Sequence, residues 1–219
     1  MKKRIIRIAS LALVILGMVS CSDEQETALR PQDAKSIPMT FLVSHPGQAS
    51  RATETKFEKN DKIGLYVADA KAQLEIGGNL VNNEALTYDG SKWAAARALY
   101  WDKGTYTAYA YYPYIENVSS ITDQSFSVAL DQRVAKTATS LGGYEASDLL
   151  FATSKNISAS ASPINLTFKH IMSKLKIRLV KGEDFEGEMP ATADVYIHNT
   201  VPTATVDLQA GVATRYVKG

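Results

Sequence analysis

The sequence predicts a mostly β protein, an antiparallel β-sandwich domain followed by the incomplete start of a second β domain. Three observations predict it. Short runs of apolar residues alternate with polar ones from Ile37 to Tyr216, the period-two pattern of strands with one buried face. Turn residues punctuate those runs at close intervals. Outside the first twenty residues, no segment carries a long apolar pattern at helical period. Short strands at such spacing pack as sandwiches more readily than as crossover units.

Residues 1–20 stand apart. Lys2, Lys3, Arg4 and Arg7 form a basic end, and Ile8 to Ser20 is an uncharged, mostly apolar run ending at Met18-Val19-Ser20-Cys21. A membrane-spanning helix needs roughly 20 apolar residues, and this run is shorter. It resembles a bacterial lipoprotein signal, in which cleavage falls between Ser20 and Cys21 and the Cys21 thiol is acylated, palmitate being one such chain. The alternative is a soluble secreted protein with an ordinary cleavage site there. Cys21 is the single cysteine of the chain, so it forms no internal disulfide, and a thioether-linked lipid removes the exposed thiol. Each buried acyl methylene contributes about 0.8 kcal/mol, enough for several chains to anchor firmly.

Residues 21–36 are polar and lack periodicity, which reads as a tether. Its acidic run Ser22-Asp-Glu-Gln-Glu26 is similar to the short tag that sends some Bacteroidetes lipoproteins to the outer face of the outer membrane. Of the 24 Lys and Arg, four lie in the leader, against 23 Asp and Glu in all. The rest of the chain is slightly acidic and has no basic block, which argues against nucleic acid as a partner.

The first strand spans Ile37 to Val43. Ile37, Met39, Phe41 and Val43 alternate with Pro38, Thr40 and Leu42, and Pro38, lacking an N–H, places this strand at an edge or at its own start. A polar loop, His45 to Thr55, follows. Lys62 to Val67 is the next strand. Leu86-Thr-Tyr88 and Ser91-Lys-Trp93 flank Asp89-Gly90, a pair suited to a two-residue hairpin turn. Leu99 to Trp101 and Thr105 to Tyr112 are two more strands, closed by Pro113. Further strands are expected over Ser125 to Leu130 and Leu149 to Phe151. Single helical turns are expected within Lys92 to Leu99 and around Gly142 to Asp148.

The small polar stretch Asn156 to Ser162, with Pro163 after it, reads as a boundary between a domain at 37–162 and a second at 163–219. Beyond it Ile164, Leu166 and Phe168 alternate, as do Leu175, Ile177 and Leu179 among Lys174, Lys176 and Arg178. Strands are also expected over Ala193 to Asn199, Thr203 to Leu208 and Val212 to Tyr216. Residues 163–219 are too few for a whole second sandwich at strands of about 5–6 residues plus turns, so the second domain is expected to be truncated.

Catalytic chemistry is not visible. His45, His170 and His198 lie at no metal-ligand spacing, and no second cysteine completes a zinc site. Phosphate loops, nucleophile elbows and dinucleotide fingerprints are missing too. No enzyme, cofactor or metal is therefore expected. Tyr100, Trp101, Tyr106, Tyr109, Tyr111, Tyr112 and Tyr114 form an aromatic cluster. Such rings bind sugars, but they also pack well in sheets. Because Tyr106 and Tyr112 alternate with Tyr109 and Tyr111, no one face collects them all.

The ordered set Phe57-Glu-Lys-Asn-Asp-Lys-Ile-Gly-Leu-Tyr66, Leu86-Thr-Tyr88 with Trp93, Tyr109-Ala-Tyr-Tyr-Pro-Tyr114, Asp148-Leu-Leu-Phe151 and Leu166-Thr-Phe-Lys-His-Ile-Met-Ser-Lys-Leu175 resembles the Mfa-like fimbrillin family of Bacteroidetes type V pili. Asn60 departs from its usual glycine, though asparagine also tolerates positive φ. The resemblance implies transthyretin-like sandwich domains and export as a lipoprotein. It also implies release of the first strand by a protease cutting after a basic residue. A strand of another pilus subunit would then fill the vacated groove. Carried onto this chain, the removable strand is Ile37, Met39, Phe41 and Val43, and the cut falls at Arg51-Ala52; Arg30-Pro31 suits such a protease poorly. Arg51 is otherwise simply an exposed loop arginine. Expected partners are other pilus subunits, the outer membrane through the lipid, and a glycan or host protein in adhesion. A surface module that binds glycan or host protein without polymerising is the alternative.

Overall fold

The computed structural model describes residues 37–47 and 56–215. Its strands are β1 (Phe41–Ser44), β2 (Lys62–Asp69), β3 (Val81–Tyr88), β4 (Trp93–Ala95), β5 (Thr105–Tyr112), β6 (Gln124–Ser127), β7 (Leu150–Ser158), β8 (Ile164–Thr167), β9 (Lys169–His170), β10 (Thr203–Asp207) and β11 (Val212–Arg215). A short 3-10 turn, Glu145–Ser147, precedes β7 and lies where a single helical turn is expected.

The strands form three layers. The central sheet has six strands in the order β4-β3-β2-β5-β7-β9, all antiparallel. On one face lie β1 and β8, which pair with each other. Met39, Ile164, Leu166 and Phe168 pack there against Ile63, Leu65, Tyr112 and Leu150. On the other face lie β11-β10-β6, where Phe126, Val206 and Leu208 meet Tyr66, Tyr109, Tyr111 and Phe151. Both faces of β2 and β5 are therefore covered. Tyr106 and Tyr112 go to one core and Tyr109 and Tyr111 to the other, as their alternation requires.

Three expectations can be set against the structure. First, strands from both sides of the expected boundary at residue 163 pair with one another: β8 with β1, β9 with β7, and β10 with β6. Small polar residues at 156–162 mark the end of β7 and a turn rather than a linker. Second, Leu175 to Leu179 and Ala193 to Asn199 form no strand, and Leu175 is 66% exposed. Alternation shows what a segment does when an edge is offered, and none of the described strands lies beside it. Third, the hairpin at Asp89-Gly90 is longer than two residues. Tyr88 pairs with Trp93, so residues 89–92 all lie in the loop. The Asp89 carboxylate accepts N–H bonds from Ser91 (2.7 Å) and Lys92 (2.9 Å), an Asx arrangement that stabilises the wider loop. The expected helical turn over Lys92 to Leu99 is replaced by β4.

Candidate functional site: the seat of the first strand

The residues expected to form a displaceable strand fall on the outermost layer. From Ile37 to Ser44 burial alternates: Met39 is 6% exposed, Ile37, Phe41 and Val43 are half-buried, and Leu42 is 58% exposed. The odd-numbered side chains join the core cluster built on Ile63, Leu65, Trp101 and Leu166.

Two different neighbours hold the backbone. At its start, Met39 N–H donates to the Leu99 carbonyl (2.8 Å), and Trp101 N–H donates to the Ile37 carbonyl (3.0 Å). Pro38 opposes Tyr100 in this antiparallel bridge; its missing N–H faces away from Leu99 and Trp101, so proline is tolerated. Farther on, Ile164 N–H donates to the Thr40 carbonyl (2.8 Å) and Phe168 N–H to the Ser44 carbonyl (2.9 Å). Here the pairing is parallel, in register Phe41↔Ile164 to Ser44↔Thr167. This pair runs parallel in a fold whose other strand pairs are antiparallel among the described residues. The two strands are far apart in the chain, so no hairpin fixes their sense.

Beyond β1 the chain enters a cluster of ionisable groups that sequence reasoning did not assemble. The ring of His45 meets Phe57 edge-on, with centroids 4.9 Å apart, and His170 with centroids 5.9 Å apart. His170 Nδ1 lies 2.7 Å from Asp148 Oδ1. Close by, buried Asp61 accepts the Lys136 ammonium at 2.6 Å and the Glu58 N–H at 2.7 Å, and Lys136 also reaches Glu58 at 3.3 Å. Burial lowers the Lys136 pKa, but Asp61 and Glu58 outweigh it and the net shift is upward. The Tyr112 hydroxyl is pushed up by burial first and then by Asp61, Glu145 and Asp148. Spacing between these residues in sequence is large and irregular, so only the fold brings them together.

Next to this cluster a surface groove of roughly 530 Å³ is lined by Asn60, Lys62, Thr87, Tyr114, Thr137 and Ser140, among others. The aromatic cluster is mostly spent on packing: Tyr106, Tyr109, Tyr111 and Tyr112 are buried, and Tyr100 is about half exposed. Among the described residues, no three His, Cys, Asp or Glu side chains are grouped to hold a metal, and no helix is long and apolar enough to cross a membrane. Ser20, Cys21, Arg51 and Ala52 lie outside the described residues.

Comparison with known proteins agrees with this architecture. Two solved structures share the fold: a "putative cell adhesion protein" from Bacteroides ovatus (TM-score 0.52, 18% identity, 83% of this chain and 67% of that one) and another so described from Bacteroides uniformis (TM-score 0.50, 17% identity, 83% and 68%). In sequence, the chain is 30% identical over 129 residues to the "Putative fimbrium tip subunit Fim1C" of Bacteroides ovatus, covering 55% of this chain. It spans only 23% of that relative's length. The model of a family described as fimbrillin-like matches residues 50–218, which is most of the chain and nearly all of both cores, so this protein belongs to the fimbrillin-like family.

Proposed function

We propose that this protein is a lipid-anchored cell-surface component of a pilus, a structural subunit or an accessory protein, without catalytic activity. The anchor is acylated Cys21, made the first residue by cleavage after Ser20, and it holds the mature protein to the outer membrane. Assembly proceeds by strand exchange: cutting at Arg51-Ala52 separates Ile37 to Val43 from the rest, and a strand from another subunit takes its seat.

One observation supports this reading most. The segment 37–44 is wedged between Leu99–Trp101 and β8, which do not pair with each other. Four hydrogen bonds outside the β1–β8 ladder proper and a row of inward side chains hold it. Removing it would bare ladder groups on both flanks and an apolar trough between them, a surface that an incoming strand satisfies by backbone pairing. Fully burying a residue such as Met39 contributes about 1.5–3 kcal/mol, and three half-buried neighbours add to that, so the trough discriminates strongly in favour of an apolar strand.

The test uses the full chain with a trypsin-like protease and the subunits encoded alongside it. Detergent-resistant ladders are expected with the native chain and not with Arg51→Ala. Ladders from both alike would remove Arg51 from the scheme; none from either would remove strand exchange. Cys21→Ala is expected to abolish acyl labelling, and persistent labelling would refute the anchor. The groove beside Tyr114 favours the second reading, a glycan-binding surface module. Glycan retention lost on Tyr114→Ala, without ladders, would establish it.

A further inference from the structure

We propose that His45 is an acid-sensitive latch on the first strand: neutral, it holds residues 37–44 in their seat, and proton uptake loosens them. The inference rests on reading that strand as displaceable, and it concerns what governs its release.

His45 directly follows β1, so whatever happens to its ring is felt at the strand's end. Its Nδ1 accepts the Gly47 N–H at 3.3 Å, which requires an unprotonated nitrogen. The ring edges of Phe57 and His170 close around it at 79° and 80°. His170 belongs to β9, which begins two residues after β8, the strand that pairs with β1. The histidine contact therefore lies just past the far end of the β1–β8 ladder, between the residue that follows β1 and the strand that follows β8.

The surrounding charges are unequally shared. Asp148, just before β7, is bonded to His170. Asp61 and Glu58 are engaged by Lys136, and Glu145 of the 3-10 turn completes the acidic lining of the cleft with Tyr112 and Tyr144. Among the described residues no carboxylate hydrogen-bonds to His45. A charged His45 thus gains no anion of its own, gives up the Gly47 bond and faces a second imidazole.

Burial first, and His170 second, hold the His45 pKa below its ordinary 6.5, while Asp148 and Asp61 pull the other way without cancelling them. With the seated form binding its proton less readily than the released form, linkage fixes the sign. Seating is fully favoured above 6.5 and weakens as pH falls through the interval between 6.5 and the lowered value. Acid thereby frees a strand that neutral pH keeps docked.

Amide hydrogen exchange on the isolated full chain tests this, with rates corrected for the intrinsic effect of pH. Between about pH 7.5 and about pH 5, the amides of Met39, Ile164 and Phe168, which bond to or across the strand, are expected to lose protection several-fold relative to Ala110 in the central sheet. His45→Gln should flatten that response, and His170→Gln, which removes the opposing imidazole, should reduce it. An unchanged acid response in His45→Gln, an equal loss at Ala110, or no response in the native chain would each overturn the latch. Because no partner subunit is present, failure of strand exchange leaves this readout intact, and failure of the latch leaves ladder formation untouched.

Discussion

Gly64 lies directly beneath the ring of Tyr111, so close that a Cβ on Gly64 would come within 2.6 Å of the Tyr111 hydroxyl oxygen and closer still to the ring. The two residues pair across β2 and β5. The ring is pinned there by its hydroxyl, which donates to Asn83 Oδ1 at 2.6 Å and lies 3.1 Å from the Ile115 carbonyl. Gly64→Ala must therefore push the ring off its hydrogen bonds or spread the central strands. A loss of about 1–3 kcal/mol is expected, the usual cost of overpacking. A lower urea midpoint at unchanged slope checks it, and an unaltered midpoint would contradict the close approach.

The same contact explains why some of the fold could not be read in the sequence. Val81-Asn-Asn-Glu-Ala, the first half of β3, is too polar to announce a strand. Asn83 adopts φ +43°, near where the β2–β3 register shifts between Leu65 and Val67. Its side chain donates to the carbonyls of Ile115 (2.8 Å) and Glu116 (3.2 Å). A polar residue supports this strand by bonding a distant loop, and no local pattern records that. Conversely, Lys62 to Val67 and Thr105 to Tyr112 were legible because apolar or aromatic residues fill both faces. The alternation of Ile37 to Val43 was legible as well, but not the parallel partner at Ile164. His45, Asp148 and His170 each looked unremarkable alone, and their meeting depends on β8 and β9 folding back beside β1.

Asp61 is 3% exposed and serves two donors, Lys136 and the Glu58 N–H. Asp61→Ala takes the nearer carboxylate from a partly buried ammonium and leaves the Glu58 N–H without its acceptor. Breaking a buried pair from one side costs about 3–5 kcal/mol; Lys136 keeps Glu58 and some water, so the lower end is expected. Thermal unfolding of the variant measures it. A loss below about 0.5 kcal/mol, the range of ordinary surface changes, would mean the network is ornamental.

Regular strand pairing is confined to Phe41–Ser44, and within residues 37–44 Met39 and Leu42 separate packing from pairing. Met39→Ala removes a core side chain, with an expected cost of about 2–3 kcal/mol. Leu42→Ala, on the exposed face, should stay within about 0.5 kcal/mol. If 37–44 opens before the rest of the molecule, Met39→Ala will speed exchange at Ile164 and Phe168 more than at Ala110. Uniform acceleration would show that the strand and the central sheet come apart together.

The Asp89 turn makes a prediction about acid. Hydrogen bonds from the backbone of Lys92 and of Ser91, and then from the Ser91 hydroxyl, draw the Asp89 pKa from 3.8 down to about 2. A carboxylate depressed in the folded state contributes stability above its unfolded pKa and loses it as pH falls through the folded one. The native chain should therefore lose more stability than Asp89→Ala between pH 3.8 and about 2. Urea titrations at those two values compare them. Parallel loss in both proteins would show that the exposed carboxylate does not tie the turn to folding.

The segment from Lys174 to Lys181 brings the remaining prediction. Its alternating Leu175, Ile177 and Leu179 are 66%, 47% and 53% exposed, and no described strand pairs with them. A protease needs an extended, unpaired backbone, and open segments are cut before paired ones. Brief trypsin treatment should thus cleave after Lys176 or Arg178 well before Lys62, which is held between Thr87 and the Tyr114 N–H. Earlier cleavage at Lys62 would contradict the layering itself. Protection of 174–181 would mean instead that these apolar side chains are covered in solution, and cross-linking at Lys176 would then identify what covers them.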